Sequence, residues 1–282
     1  MANLASEEST QDSSSLPIPD SARMGAFSLT MAWWAVCSAI FYIVVGASLA
    51  LSYGAQNAII GMVLSVISYG IINGIMSRYA IKEGLSVALF SRRLFGNAGA
   101  ALATLIFFST AIYYAVFEGS VIAVAINNVF PWLDYKWASL FVVVYSVILI
   151  FGSVQKWLDK FNGVLLPFYI LGLIAAIVVS ISEYGYQSDW MSLGSENHTA
   201  FGWWDCFTYY MGVWILMLFT FDYARFGQKN DSRYHAKYNF GMPFYLVTFL
   251  INGVIGIYLI ASIPQDAPLS EVSVVLSIIK LL

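Results

Sequence analysis

From Gly25 onward the chain alternates long apolar runs with short polar ones. Seven runs stand out, at about Gly25 to Tyr53, Ala55 to Ser77, Ala98 to Asn127, Lys136 to Ser153, Phe161 to Ile181, Phe201 to Tyr223 and Phe240 to Ile263. Each comes near the ~20 residues a helix needs to cross ~30 Å of hydrocarbon, so the pattern predicts seven membrane-spanning helices. Between the second and third lies "RYAIKEGLSVALFSRRLFG", whose apolar residues recur at helical spacing among basic ones, which predicts a helix lying at the membrane surface. After "IPQDAPLSE" the chain closes on "VSVVLSIIKLL", a largely apolar segment of eleven residues. As a helix these reach only about 16 Å, roughly half the hydrocarbon thickness. That segment reads as the start of an eighth span, and the chain as the N-terminal part of a longer polypeptide, truncated after about seven spans.

Composition agrees with the pattern. Of 282 residues 60% are hydrophobic and 10% charged, against about a quarter charged in soluble domains. The opening stretch "MANLASEESTQDSSSLPIPD" is Ser-rich and acidic and lacks the basic n-region and apolar core of a signal peptide. Residues 1–22 are therefore expected to form a disordered cytoplasmic tail, and residues 23–282 the transmembrane domain. Charge gives the orientation. Eleven of the thirteen basic residues (Arg23, Arg78, Lys82, Arg92, Arg93, Lys156, Lys160, Arg225, Lys229, Arg233 and Lys237) fall on one side of a seven-span arrangement. The opposite loops hold Lys136 and several acids, and Lys280 lies in the last apolar segment. The positive-inside rule then puts the N-terminus in the cytoplasm, in a multi-pass protein of the plasma membrane.

Few side chains could carry covalent chemistry. Cys37 and Cys206 lie in or beside apolar runs without metal or disulfide spacing and read as small core residues. The two histidines, His198 and His235, fall in loops, and no HExxH or paired Asp motif occurs. These absences argue against an intramembrane enzyme, and no filter sequence argues for a channel. Transporters bury a few polar groups at mid-membrane beside interrupted helices. The first run fits, because "AVCSAIFYIVVGAS" places Cys37, Ser38, Gly46 and Ser48 inside a stretch long for one straight helix. A second anomaly is Glu118, in "IYYAVFEGSVIAVAI", because a carboxylate in hydrocarbon costs several kcal/mol unless it has a partner, a proton or a ligand.

Three ordered motifs carry a resemblance: "SARMGAFSLT" at the start of the first run, "KEGLSVALFSRRLFGNAG" before the third, and "TFDYARFGQ" at the end of the sixth. In these the chain resembles the nucleobase:cation symporter-1 family, whose members include cytosine permease and hydantoin transporters. The resemblance implies an all-α, leucine-transporter-like fold of two inverted five-helix repeats, with spans one and six broken at mid-membrane. It also implies a substrate held between spans one, three, six and eight, and a sodium ion or proton as the coupling ion, with no other cofactor. The expected partners are a small nucleobase-like molecule and the bilayer, not nucleic acid.

The same resemblance supplies site residues. Third-span members carry Trp, three residues, then Gln; here "YAVFE" puts Tyr114 at the stacking position and Glu118 at the hydrogen-bonding one, about one helical turn apart. A carboxylate only accepts hydrogen bonds, so it suits a base edge with adjacent N–H donors, or a cationic ring. The alternative for Glu118 is a structural role, paired to a neighbouring helix or protonated and merely buried. Counting back about nine residues from Asp222 gives Val213, flanked by Gly212, which permits close backbone approach, and Trp214, a second aromatic wall or else a lipid-facing or packing residue. Phe41, beside the expected break in span one, is placed with these substrate positions. Ser38 and Ala39 are the candidates for half of a cation site, the alternative for Ser38 being a bond back to its own helix. Asp222 and Arg225, three residues apart, read as a structural or gating ion pair, and Trp203, Trp204, Tyr209 and Tyr210 as interfacial belt residues. The function expected is cation-coupled uptake of a purine or pyrimidine base or related heterocycle. A same-fold symporter for another solute, such as an amino acid or vitamin precursor, is the other class. Span one lacks the Gly-x-Gly with which amino-acid carriers of this fold hold a carboxylate, which favours the base.

Overall fold

The structure is a computed structural model that describes residues 16–151 and 154–263. Among these residues the regular structure is all helical, with one isolated backbone bridge, Met24 to Gly227. Five helical stretches are long and apolar enough to cross a membrane: Ala26–Tyr53, Ala55–Glu83, Val87–Val129, Lys160–Tyr184 and Lys229–Ser262. The expected fourth span is the helix Tyr135–Phe151. The expected sixth is two ten-residue helices, Gly202–Met211 and Ile215–Ala224, each too short to cross alone. All seven expected spans are therefore present. The eighth run with Lys280, residues 1–15 of the expected tail and the side chain of Lys156 lie outside the described residues.

The ends are set by local chemistry. Span two ends at Gly84, whose φ of 69° is the left-handed conformation of a helix C-terminus. Ser86 then caps the next helix by accepting the N–H of Leu89 at 3.2 Å. That helix contains the expected surface segment; it kinks at Gly96, where φ is 67°, and continues as span three. Arg92, Arg93, Leu94 and Phe95, just before the kink, are exposed. Part of the expected tail is packed against the helices: Ile18 is buried and its N–H donates to the Gly84 carbonyl at 2.9 Å.

Spans one, two, six and seven enclose the main core, built on Trp33, Tyr69, Tyr210, Phe244 and Phe249. The second half of span one lies tightly along span seven. A Cβ on Gly46 would collide with the backbone of Gly253, and one on Gly256 with the carbonyl of Ile43, so only glycine allows this approach. Spans three, four and five expose large apolar side chains, such as Leu105, Phe108, Ile148 and Leu171, as suits segments surrounded by hydrocarbon. Tyr210 corrects the sequence reading. It is fully buried against Phe249 at a ring distance of 5.0 Å, not in an interfacial belt, because span six turns that face toward span seven.

Candidate substrate and cation site

Span one is interrupted at its middle. The helix Ala26–Trp34 tightens into the 3-10 turn Ala35–Ser38, Ala39 is extended with ψ of 125°, and helix resumes over Phe41–Tyr53. An interruption leaves backbone groups without helical partners, and in a membrane protein these must be satisfied inside the protein. Three side chains serve them. Asn252 of span seven donates to the Cys37 carbonyl at 2.7 Å. The hydroxyl of Ser38 donates back to the Ala35 carbonyl at 2.7 Å, the local bond raised as its alternative. Glu118 of span three accepts the Phe41 N–H at 3.2 Å, at the start of the resumed helix. Its lone carboxylate in the apolar run thus has a partner 77 residues earlier in the chain.

Span six is interrupted at the matching place. Bonds of the i to i−3 type, from Gly212 to Tyr209 and from Val213 to Tyr210, tighten the end of its first helix. The hydroxyl of Tyr69, buried in span two, donates to the Tyr210 carbonyl at 2.9 Å and lies 3.3 Å from that of Met211. Gly212 keeps ordinary helical angles, φ −66° and ψ −16°.

A cavity of about 670 Å³ opens between the break in span one and span three, and Ser38, Ala39, Ile40, Glu118, Val121 and Asn128 are among its lining residues. Beside it, the Phe41 ring packs edge-on against Tyr114 at 5.2 Å and against Phe117 at 5.6 Å. Phe41 also lines a second cavity, of about 310 Å³, with Ser48, Tyr113, Phe117 and Tyr209. The structure thus brings Ser38, Ala39, Phe41, Tyr114 and Glu118 together. It sets the span-six candidates apart: Val213 is buried in the main core, and Gly212, Val213 and Trp214 line neither cavity. Asp222 and Arg225 face each other at 3.8 Å near the end of span six, and Asp222 also accepts the N–H of Val87 at 3.4 Å. Asn252 and Tyr69 were not among the sequence candidates. Asn252 carried the signal that marked Glu118, a lone polar residue in an apolar run; a tyrosine hydroxyl gives no such signal.

Two interrupted helices, with their breaks satisfied by neighbouring spans, are the arrangement of a leucine-transporter-like fold. A solved structure of Mhp1, a nucleobase-cation-symport-1 family transporter, in a closed conformation with bromovinylhydantoin bound, has this fold: the TM-score is 0.75 at 15% identity, over 95% of this chain and 64% of that one. The chain thus spans less than two thirds of the length of Mhp1. No family model and no curated protein matches the chain. At that identity the likeness shows the fold.

Proposed function

We propose that the protein serves cation-coupled uptake of a purine or pyrimidine base or a related heterocycle across the plasma membrane, with its N-terminus in the cytoplasm. The observation that supports this most is the single cavity joining the broken backbone of span one to Glu118, with Tyr114 beside it. An ionised carboxylate offers about four lone-pair sites. The Phe41 amide takes one, leaving acceptors for adjacent N–H donors on a base edge, while Tyr114, packed against Phe41, offers an aromatic ring next to the cavity for a planar ligand. Ser38 and Ala39 contribute oxygens at the break for a sodium ion, or Glu118 a carboxylate for a proton. The fold of Mhp1, whose structure holds a hydantoin, supports a planar heterocycle over an unrelated solute.

The test is uptake of radiolabelled adenine, guanine, cytosine and uracil by cells expressing the protein, with the sodium and proton gradients collapsed separately. Saturable uptake of at least one base, abolished by collapse of one gradient, is the expected result. Uptake of an amino acid or vitamin precursor, with no base transported or competing, would overturn the assignment in favour of the other class.

A further inference from the structure

At the end of the molecule that carries the basic residues, spans two and seven part to form a cleft of about 420 Å³, lined by Ile71, Gly74, Ile75, Arg78, Arg233 and Lys237. Its two ends differ in chemistry. Arg78, Arg233 and Lys237 stand exposed at the mouth. Among the described residues none of the three enters an ion pair, whereas Arg23, Arg93, Arg225 and Lys229 each do. Asp231, two residues before Arg233, forms no ion pair with it. Away from the mouth the wall turns apolar: Ile60, Val63, Ile67, Ile71 and Ile75 recur every three or four residues along one exposed face of span two, with Ile75 67% exposed.

The floor is made by glycine. Met242 of span seven packs onto Gly70, and a Cβ on Gly74 would lie 3.1 Å from the Ala236 carbonyl, so the helices nearly touch beneath an open groove. A soluble anion could use the mouth but would gain nothing from the groove. An apolar chain could use the groove but not three cations without an ion pair, of which Lys237 lies over the Tyr238 ring at 4.8 Å. A molecule with both parts, a phosphate head and a long hydrocarbon tail, satisfies the whole surface, and basic pockets between spanning helices favour such lipids. We propose that this cleft binds one anionic phospholipid, its phosphate against Arg78, Arg233 and Lys237 and one acyl chain along Ile71 and Ile75. The assignment needs only that the protein spans a bilayer and is independent of what it transports.

Native mass spectrometry of the whole protein, exchanged into detergent with equal amounts of dioleoyl phosphatidylglycerol and dioleoyl phosphatidylcholine, tests it. One phosphatidylglycerol should be retained per chain, favoured roughly tenfold or more over phosphatidylcholine. Removing two charges at the mouth, R78Q with R233Q, should erase that preference. Removing two on the surface helix before span three, R92Q with R93Q, should leave it. All four side chains are exposed, so both double variants are expected to fold, and their thermal unfolding provides the check. Glycerophosphoglycerol, the head group without chains, should not displace the lipid. Equal retention of the two lipids, equal loss in both double variants, or displacement by the bare head group would each overturn the proposal.

Discussion

The N–H groups at the start of the helix Phe41–Tyr53 hold the positive end of its dipole, and Glu118 sits there with one oxygen on the Phe41 amide. A glutamine in its place keeps the shape and can still accept that N–H through its amide oxygen, but it loses the charge and turns one acceptor into a donor. Glu118→Gln should therefore spare the fold and change substrate choice. Bases with two adjacent donors should lose about 1–3 kcal/mol, roughly ten- to a hundredfold in affinity, while bases with a donor beside an acceptor should lose less or gain. Competition by a panel of bases, normalised to the protein in the membrane, reads this directly. An unchanged rank order of competitors, or an equal fall for all, would make Glu118 a structural cap and nothing more. The sequence marked Glu118 because a lone carboxylate in hydrocarbon demands a partner; it could not name Phe41, since contacts across spans leave no trace in local periodicity. Val213, reached by counting along span six, packs in the main core, because one residue of register decides whether a side chain enters the core or a cavity.

The broken helices show the same division at the scale of elements. Polar and small residues in the first run signalled its break, but the groups that satisfy the broken backbone come from elsewhere: Asn252 from span seven for the Cys37 carbonyl, Tyr69 from span two for that of Tyr210. Asn252 is buried, so Asn252→Ala strands a buried carbonyl and opens a small void. A loss of about 1–3 kcal/mol is expected, seen as a lower thermal midpoint in detergent. Asn252→Gln, with a longer amide in a packed seam, should recover little of it. An unchanged midpoint for the alanine variant would show that the Cys37 carbonyl is satisfied without Asn252. The ends of spans two and six are tied in a comparable way by Arg23. Its side chain is 5% exposed, and it donates to the Ile81 carbonyl at 2.8 Å and the Gly227 carbonyl at 2.5 Å, while Asp20 pairs with Arg23 at 2.9 Å and with Lys229 at 3.2 Å. The Lys229 ammonium beside Asp20, with Arg23 next to it, holds that carboxyl below its ordinary range. The stabilisation this adds is present at neutral pH and is lost only as the pH falls through that lowered pKa. The sequence placed Arg23 on the basic side of the membrane; its burial among helix-end carbonyls could not be read from one residue before an apolar run.

For the whole molecule, the span count and the sidedness of charge were legible because the bilayer imposes both on any chain that crosses it. The close seam of spans one and seven was not, since Gly46, Gly253 and Gly256 look like any small residues until the two helices are laid together. The fold also makes orientation testable in one experiment. The segment from Ile18 to Met24 is bonded to the ends of spans two and six, at Gly84 and Phe226, so the N-terminal side, Arg92 and the turn at Lys229 share one face of the membrane. Ser195, in the loop before span six, lies on the other face and is exposed. With the basic face in the cytoplasm, a cysteine introduced at Ser195 should react in intact cells with an impermeant thiol reagent, and one introduced at Ser232 only after the membrane is opened. Cys37 and Cys206 are free but buried, so the background should be low. Reaction at position 232 and protection at 195 in intact cells would invert the protein in the membrane. The uptake proposed for the cavity at Glu118 would then have to be redrawn from the opposite side.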